Sequence, residues 1–152
     1  MKVQHYFAYG SNMNPARVAQ RGLITVQACS ASVSGLRLAF DKVSGAHPDC
    51  AHANVVHDRQ AVVQGVLYEL GTEAEIFKMD VFERAPINYG RDVVRAETPD
   101  GTIHAWTYFA NRHARREGLL PPASYMAHLL EGAPYLSAEY LQWLRQHPTA
   151  PL

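Results

Sequence analysis

The octapeptide Tyr6-Phe7-Ala8-Tyr9-Gly10-Ser11-Asn12-Met13 runs an aromatic strand pattern straight into a Gly-Ser turn. Gly10 lets the main chain approach a ligand without a Cβ in the way, and the N–H groups that follow point at whatever sits above the turn. Asn14-Pro15 supplies an N-cap and a proline at the first helical position. The spacing therefore predicts a helix from Pro15 to Arg21, closed by Gly22, with its positive end toward the same spot. A carboxylate or a phosphate suits such a cradle. An ordinary strand-turn-helix corner uses the same residue types, so the turn alone does not decide between the two.

Chemistry there needs a titratable neighbour, and Glu83 is the acid with the most to offer. It closes the apolar run Ile76, Met79, Val81, Phe82 just before Ala85-Pro86, where burial would raise its pKa toward the range of a general acid/base. The plainer alternative is a solvated helix-end glutamate paired with Arg84. Asp80 and Glu83 stand at i, i+3, which at a helix end is read as one exposed and one inward carboxylate rather than a catalytic dyad. His47, Asp49, Cys50, His52, His57 and Asp58 crowd one stretch, but without the His-x3-His or Cys-x2-Cys spacing of a metal site. They are read as polar loop, and no metal and no cofactor is expected. Ser11 lacks the Gly-x-Ser-x-Gly elbow of a serine nucleophile, and His113-Ala114-Arg115-Arg116 is read as solvated loop.

The elements that must position these groups follow from patterning. Val3 to Tyr9 reads as a strand, and Ala31 to Phe40 alternates with period two past Gly35, a second strand with a bulge. After a loop from Ser44 to Ala51, Ala53 to Val56 and Ala61 to Leu70 read as two further strands. Thr72 with Glu75 fits a capping box for a helix from Glu73 to Phe82 or Glu83, stopped by Pro86. Asp92 to Glu97 and Thr102 to Phe109 flank the turn Pro99-Asp100-Gly101 and predict a hairpin. Ser124 to Gly132 and Ser137 to His147 read as two helices, the second with Tyr140, Leu141 and Leu144 on one face. The simplest solution is α+β: a small mixed sheet, closed or strongly curled into a barrel, with flanking helices.

Composition narrows the partners. Fourteen basic residues balance fourteen acidic ones, so no basic field argues for nucleic acid, and the expected partner is a small molecule. No stretch approaches the ~18 apolar residues of a membrane span, and the start Met-Lys-Val-Gln-His lacks a leader pattern. No membrane association and a cytoplasmic location are therefore expected. Cys29 and Cys50 support neither a disulfide framework nor a zinc knuckle and are read as reduced thiols. Residues 1–152 are expected to form a single domain, as a monomer or a homodimer.

These residues together resemble the γ-glutamylcyclotransferase-like family, also called AIG2-like. Tyr6 to Met13 is similar to the family's substrate loop, and Ala53-Asn54 with Gln64-Gly65-Val66-Leu67-Tyr68 to its central strands. Met79-Asp80-Val81-Phe82-Glu83 resembles the Leu-Asp-x-x-Glu segment that carries the catalytic glutamate. Tyr89-Gly90-Arg91 follows as Tyr-x-Arg, and Pro122-Ala123-Ser124-Tyr125 and Glu131-Gly132-Ala133 match the late elements. The resemblance implies a small barrel with flanking helices, Glu83 as acid/base, and a γ-glutamyl substrate contacted by Tyr6, Phe7, Ala8, Tyr9, Gly10, Ser11, Asn12, Tyr89 and Tyr125. The implied reaction is attack of the substrate's α-amine on its own γ-amide, giving 5-oxoproline and a free amine or amino acid, without a cofactor. One departure is Arg84, which stands where many members have glycine. Paired with Glu83 it would depress the acid and leave a γ-glutamyl-binding module without turnover; a pure scaffold is the third class of function this fold permits.

Overall fold

The computed structural model describes residues 2–152. Five strands close into one barrel in the order β1-β3-β2-β4-β5. They are β1 (His5–Ala8), β2 (Thr25–Val43), β3 (Ala51–Leu70), β4 (Tyr89–Thr98) and β5 (Gly101–Ala110). Neighbours pair antiparallel except where β1 meets β5 in parallel, Tyr6 opposite Trp106, and this junction makes the barrel mixed. Four helices lie outside: α1 (Pro15–Gln20), α2 (Ile76–Phe82), α3 (Ala123–Leu130) and α4 (Ala138–Gln146). The expected α+β barrel with flanking helices is the fold found.

β2 and β3 form a long ribbon, and here the sequence expectation needs correcting. The segments Ala53 to Val56 and Ala61 to Leu70 are one 20-residue strand. The polar run His57-Asp58-Arg59-Gln60 looks like a turn, yet it is a bulge. Leu36 pairs with His57 and Ser34 with Val62, so the four residues 58–61 face Gly35 alone. Gly35 takes a φ of +87°, a conformation that other residues adopt only under strain. β2 likewise begins at Thr25, earlier than expected, because its first residues are exposed and lack the alternation that marks a half-buried strand.

The core is aromatic at the end where the site lies. Tyr6 stacks on Tyr68 with centroids 6.1 Å apart and meets Tyr108 edge-on at 5.8 Å. Phe7 is completely buried, and burial of such a side chain contributes about 2–3 kcal/mol. Gly65 makes this packing possible: a Cβ there would overlap the Ala8 carbonyl oxygen and the Phe7 ring. The hairpin β4-β5 turns through Pro99-Asp100, as expected.

Helix ends follow sequence in two cases out of three. The Asn14 side chain accepts from the Ala16 N–H at 3.1 Å and caps α1, and Ser137 accepts from the Tyr140 N–H at 3.2 Å and caps α4. The capping box of Thr72 and Glu75 does not form. Glu75 instead accepts from the Ile24 N–H (3.1 Å) and pairs with Lys78 (2.9 Å), which clamps the start of α2 to the end of the α1–β2 loop. α3 is pinned to the loop after β1, since a Cβ on Gly132 would lie 2.9 Å from Met13 Cβ. This contact sets Tyr125 and His128, both on α3, beside the Gly10 turn.

Candidate active site

A cleft of about 200 Å³ opens between the loop after β1, the β2–β3 connection, the end of α2 and α3. Its walls include Tyr6, Tyr9, Gly10, Ser11, Asn12, Tyr89 and Tyr125, together with Glu83. This volume lies below the ~300 Å³ at which drug-sized pockets begin, which suits a ligand of dipeptide size rather than a polymer. Phe7 and Ala8, expected to contact substrate, are not on its wall; both are fully packed in the core, Phe7 against Gly65.

The turn is built as a donor array. Residues Ser11–Met13 form a 3₁₀ turn before α1 begins, with the Met13 N–H bonded to the Gly10 carbonyl at 2.9 Å. The N–H groups of Gly10, Ser11 and Asn12 therefore precede the first internal bond, as at any helical N-terminus. Gly10 has a φ of −115°, so its role is one of space rather than backbone freedom. A Cβ would press on the Tyr125 hydroxyl at 3.0 Å and on Ala53 Cβ at 3.1 Å.

The tyrosines divide into walls and donors. Tyr9 donates its hydroxyl to the Tyr108 carbonyl at 2.6 Å, and Tyr89 donates to the Ala53 carbonyl at 2.8 Å. Both thus present rings to the cleft. The Tyr125 hydroxyl accepts from the Ala53 N–H at 3.0 Å, which leaves its own proton to give away. Burial pushes this hydroxyl up to about 12, so it stays a donor at neutral pH. His52 stacks flat on Tyr125, with centroids 4.3 Å apart. Burial, then the nearby Lys42, Arg17 and Arg21, bring His52 down to about 4, and it is a neutral wall.

The two carboxylates of α2 have opposite fates. Asp80 accepts from Arg91 Nε at 2.8 Å and from the Tyr108 hydroxyl at 2.7 Å, facing away from the cleft. Glu83 turns inward, and Asn12 Nδ2 donates to its Oε1 at 3.3 Å. Asn12 is itself held by Arg21 Nη1 (3.1 Å on Oδ1), and its amide also donates to the Tyr6 hydroxyl at 2.9 Å. Burial raises the Glu83 carboxyl to about 7, against the opposing pull of Arg21, Lys42 and Arg17. The pairing of Glu83 with Arg84 considered from sequence is not made: among the described residues no ion pair joins them. Arg84 is exposed and keeps the left-handed backbone, φ 52°, that glycine adopts freely.

Arg17, Arg21 and Lys42 also line the cleft and were not singled out from sequence. Arg17 and Arg21 stand at i, i+4, one face of the predicted α1, which is the signal that could have found them. Lys42 is buried with its ammonium 5.7 Å from the Tyr89 ring centroid. Among the described residues, Glu83 is the only acid on a wall that carries four cationic side chains, Arg84 included.

A closed five-stranded barrel whose one end carries a Gly-Ser turn facing a half-buried acid defines a class of small barrel proteins with a compact cleft at one end. Residues 6–127 match the family described as gamma-glutamyl cyclotransferase, AIG2-like, and the chain belongs to that family. No curated protein matches it in sequence. Among solved structures, a gamma-glutamyl cyclotransferase is similar with a TM-score of 0.82 at 22% identity, over 97% of this chain and 89% of that one. An uncharacterized protein from Homo sapiens gives 0.84 at 22% identity, over 100% and 92%. YkqA from Bacillus subtilis gives 0.81 at 22% identity, over 96% of this chain and 55% of its own. At this identity the likeness is one of fold.

Proposed function

We propose that the chain is a γ-glutamylcyclotransferase with Glu83 as its acid/base. The observation that carries this reading is a carboxyl group raised to about 7 in the same small cleft as the Gly10-Ser11-Asn12 turn, whose N–H groups precede the first helical bond. The N–H groups of Gly10, Ser11 and Asn12 receive the α-carboxylate of the substrate, and the rings of Tyr6, Tyr9 and Tyr89 fold its flexible chain toward the γ-amide. Ionised Glu83 takes a proton from the α-ammonium. The freed amine attacks the γ-carbonyl carbon, the bond from that carbon to the amide nitrogen breaks, and 5-oxoproline is released.

Protons balance within the substrate. The α-nitrogen gives up two, the leaving nitrogen gains two and departs as an ammonium, and Glu83 carries the first. No atom of water enters either product. A well-placed acid/base contributes about 10²–10⁴-fold, and holding the amine near its own carbonyl adds an effective-molarity gain. The Tyr125 proton is available to the carbonyl oxygen as charge develops there.

A binding module without chemistry would follow if Arg84 neutralised Glu83. That route lacks support, since the acid is raised rather than depressed and, among the described residues, no ion pair joins Arg84 to it. The test is 5-oxoproline release from γ-glutamyl dipeptides and γ-glutamylamines, measured by chromatography. The wild type is expected to release it and Glu83→Gln to release at most about one part in 10² as much; equal rates would overturn the assignment of Glu83.

A further inference from the structure

Arg17 is oddly placed for a guanidinium. It is half-buried on the cleft wall, its Nε is shielded from solvent without a partner, and its one hydrogen-bond contact is Nη1 to His128 Nε2 at 3.3 Å. No carboxylate of the described residues pairs with it. Arg21, one turn on, is occupied by Asn12 and by the Phe82 ring, 4.9 Å from its guanidinium carbon. A guanidinium has five N–H donors in a planar fork that matches a carboxylate. Four of them are unused here, in a site where desolvation strengthens any bond they make.

His128 braces this fork from behind. Its two ring nitrogens face Arg17 Nη1 and, at 3.0 Å, Asn14 Nδ2, and Asn14 is fixed by its capping bond to the Ala16 N–H. Both neighbours are donors. A neutral ring can accept from one of them; a protonated ring can accept from neither and repels Arg17. The charged groups around His128 are Arg17 on α1, Arg21 at the end of α1 and Glu131 at the end of α3; burial, then the two arginines, hold its pKa below the usual histidine value against the opposing pull of Glu131.

We infer that Arg17, positioned by neutral His128, is the specificity-determining residue of the cleft and receives a second carboxylate, the one carried by the leaving half of the substrate. The inference rests on the cyclotransferase reading and goes beyond it, because the turn at Gly10 already accounts for the α-carboxylate. A γ-glutamyl amino acid supplies both carboxylates, whereas a simple γ-glutamylamine leaves Arg17 desolvated and unpaired.

γ-Glutamylalanine and γ-glutamylethylamine differ only by that carboxylate. The wild type is expected to favour the former in kcat/KM by about 10- to 100-fold, the scale of one charge-assisted bond. Arg17→Gln should bring the ratio close to one, and Arg17→Lys, which keeps the charge without the fork, should leave an intermediate ratio. His128→Gln keeps an acceptor that does not titrate. The wild type is expected to show a rise in KM for γ-glutamylalanine on acidification, and His128→Gln should retain the preference at neutral pH and abolish that rise. A wild-type ratio near one, or a ratio unchanged in a folded Arg17→Gln, overturns the inference while 5-oxoproline release still upholds the cyclotransferase. If neither compound yields 5-oxoproline, that reading falls, and calorimetry with the same pair decides the subsite: preferential binding of γ-glutamylalanine that Arg17→Gln removes supports it, and equal binding rejects it.

Discussion

Asp41 and Lys42 are neighbours in β2 and both are buried, yet strand alternation sends them to different surroundings. Asp41 accepts from Asn54 Nδ2 at 2.9 Å and from Arg115 at 3.0 Å (Nε) and 2.9 Å (Nη2), and Asn54 Oδ1 in turn accepts from the Ala110 N–H at 2.8 Å. Every polar group in that knot has a partner, and it ties β2, β3, β5 and the segment after β5 together. Lys42 lines the cleft with Glu83 and Arg17, its ammonium beside the Tyr89 ring, and among the described residues that ammonium has no hydrogen-bond or ion-pair partner. Burial of a charge is costly in either place. On the Asp41 side the cost is met by partners within the fold, and on the Lys42 side it is left open, which is what a site awaiting a charged ligand requires.

The contrast breaks first at Glu83. Glu83→Gln should lower kcat for 5-oxoproline formation by about 10²–10⁴-fold with the fold intact, as read by turnover beside circular dichroism. On the paired side, Asp41→Ala takes the acceptor from a buried amide and from the exposed Arg115 and should cost about 1–3 kcal/mol in urea unfolding. A loss under 1 kcal/mol would mean that the knot is not structural.

Lys42→Met sharpens the contrast from the open side. It removes an unpaired buried ammonium, whose pKa burial already lowers. Stability should hold or rise while KM for a γ-glutamyl substrate rises about tenfold, the scale of one lost charge interaction; a fall in stability without any change in KM would count against it.

Glu83 itself should show the cost of an open site. Its folded pKa is about 7 against 4.5 in the unfolded chain, so the native state binds the proton more tightly. Between those two values stability falls as pH rises, and above the upper one the full penalty, about 3 kcal/mol, is present. Glu83→Gln should therefore be more stable than the wild type at pH 8 and indistinguishable from it at pH 4. The same titration places the acid limb of kcat/KM near 7, with activity falling as pH drops through it. Smallest of all, Arg84→Gly should relieve the left-handed backbone at 84 and change stability by less than about 1 kcal/mol.

Much of this was legible in the residues. Gly-Ser at 10–11 and Asn14-Pro15 announced the turn and the first helix through local chemistry that tertiary structure had only to respect, whereas the residues around Glu83 left open whether that acid turns inward or stays solvated. The bulge at residues 58–61 was not legible, because a polar run opposite a glycine reads the same whether the chain turns or stays paired. Thr72-Glu75 failed as a capping box because a tertiary partner, the Ile24 N–H, claimed the glutamate. The cationic wall was missed for a different reason. The two arginines at α1 and Lys42 on β2 come from separate elements and converge only when the barrel closes, and arginines at helical spacing look like any solvated face.

The most direct measurement is the titration of the Glu83 side-chain carboxyl carbon by NMR in the ligand-free protein, assigned with Glu83→Gln. An unpaired, desolvated acid in an open site predicts a midpoint near 7. A midpoint at the ordinary glutamate value, about 4.3, would mean that Glu83 is solvated or neutralised like Asp80, and would contradict its role as the acid/base of this cleft.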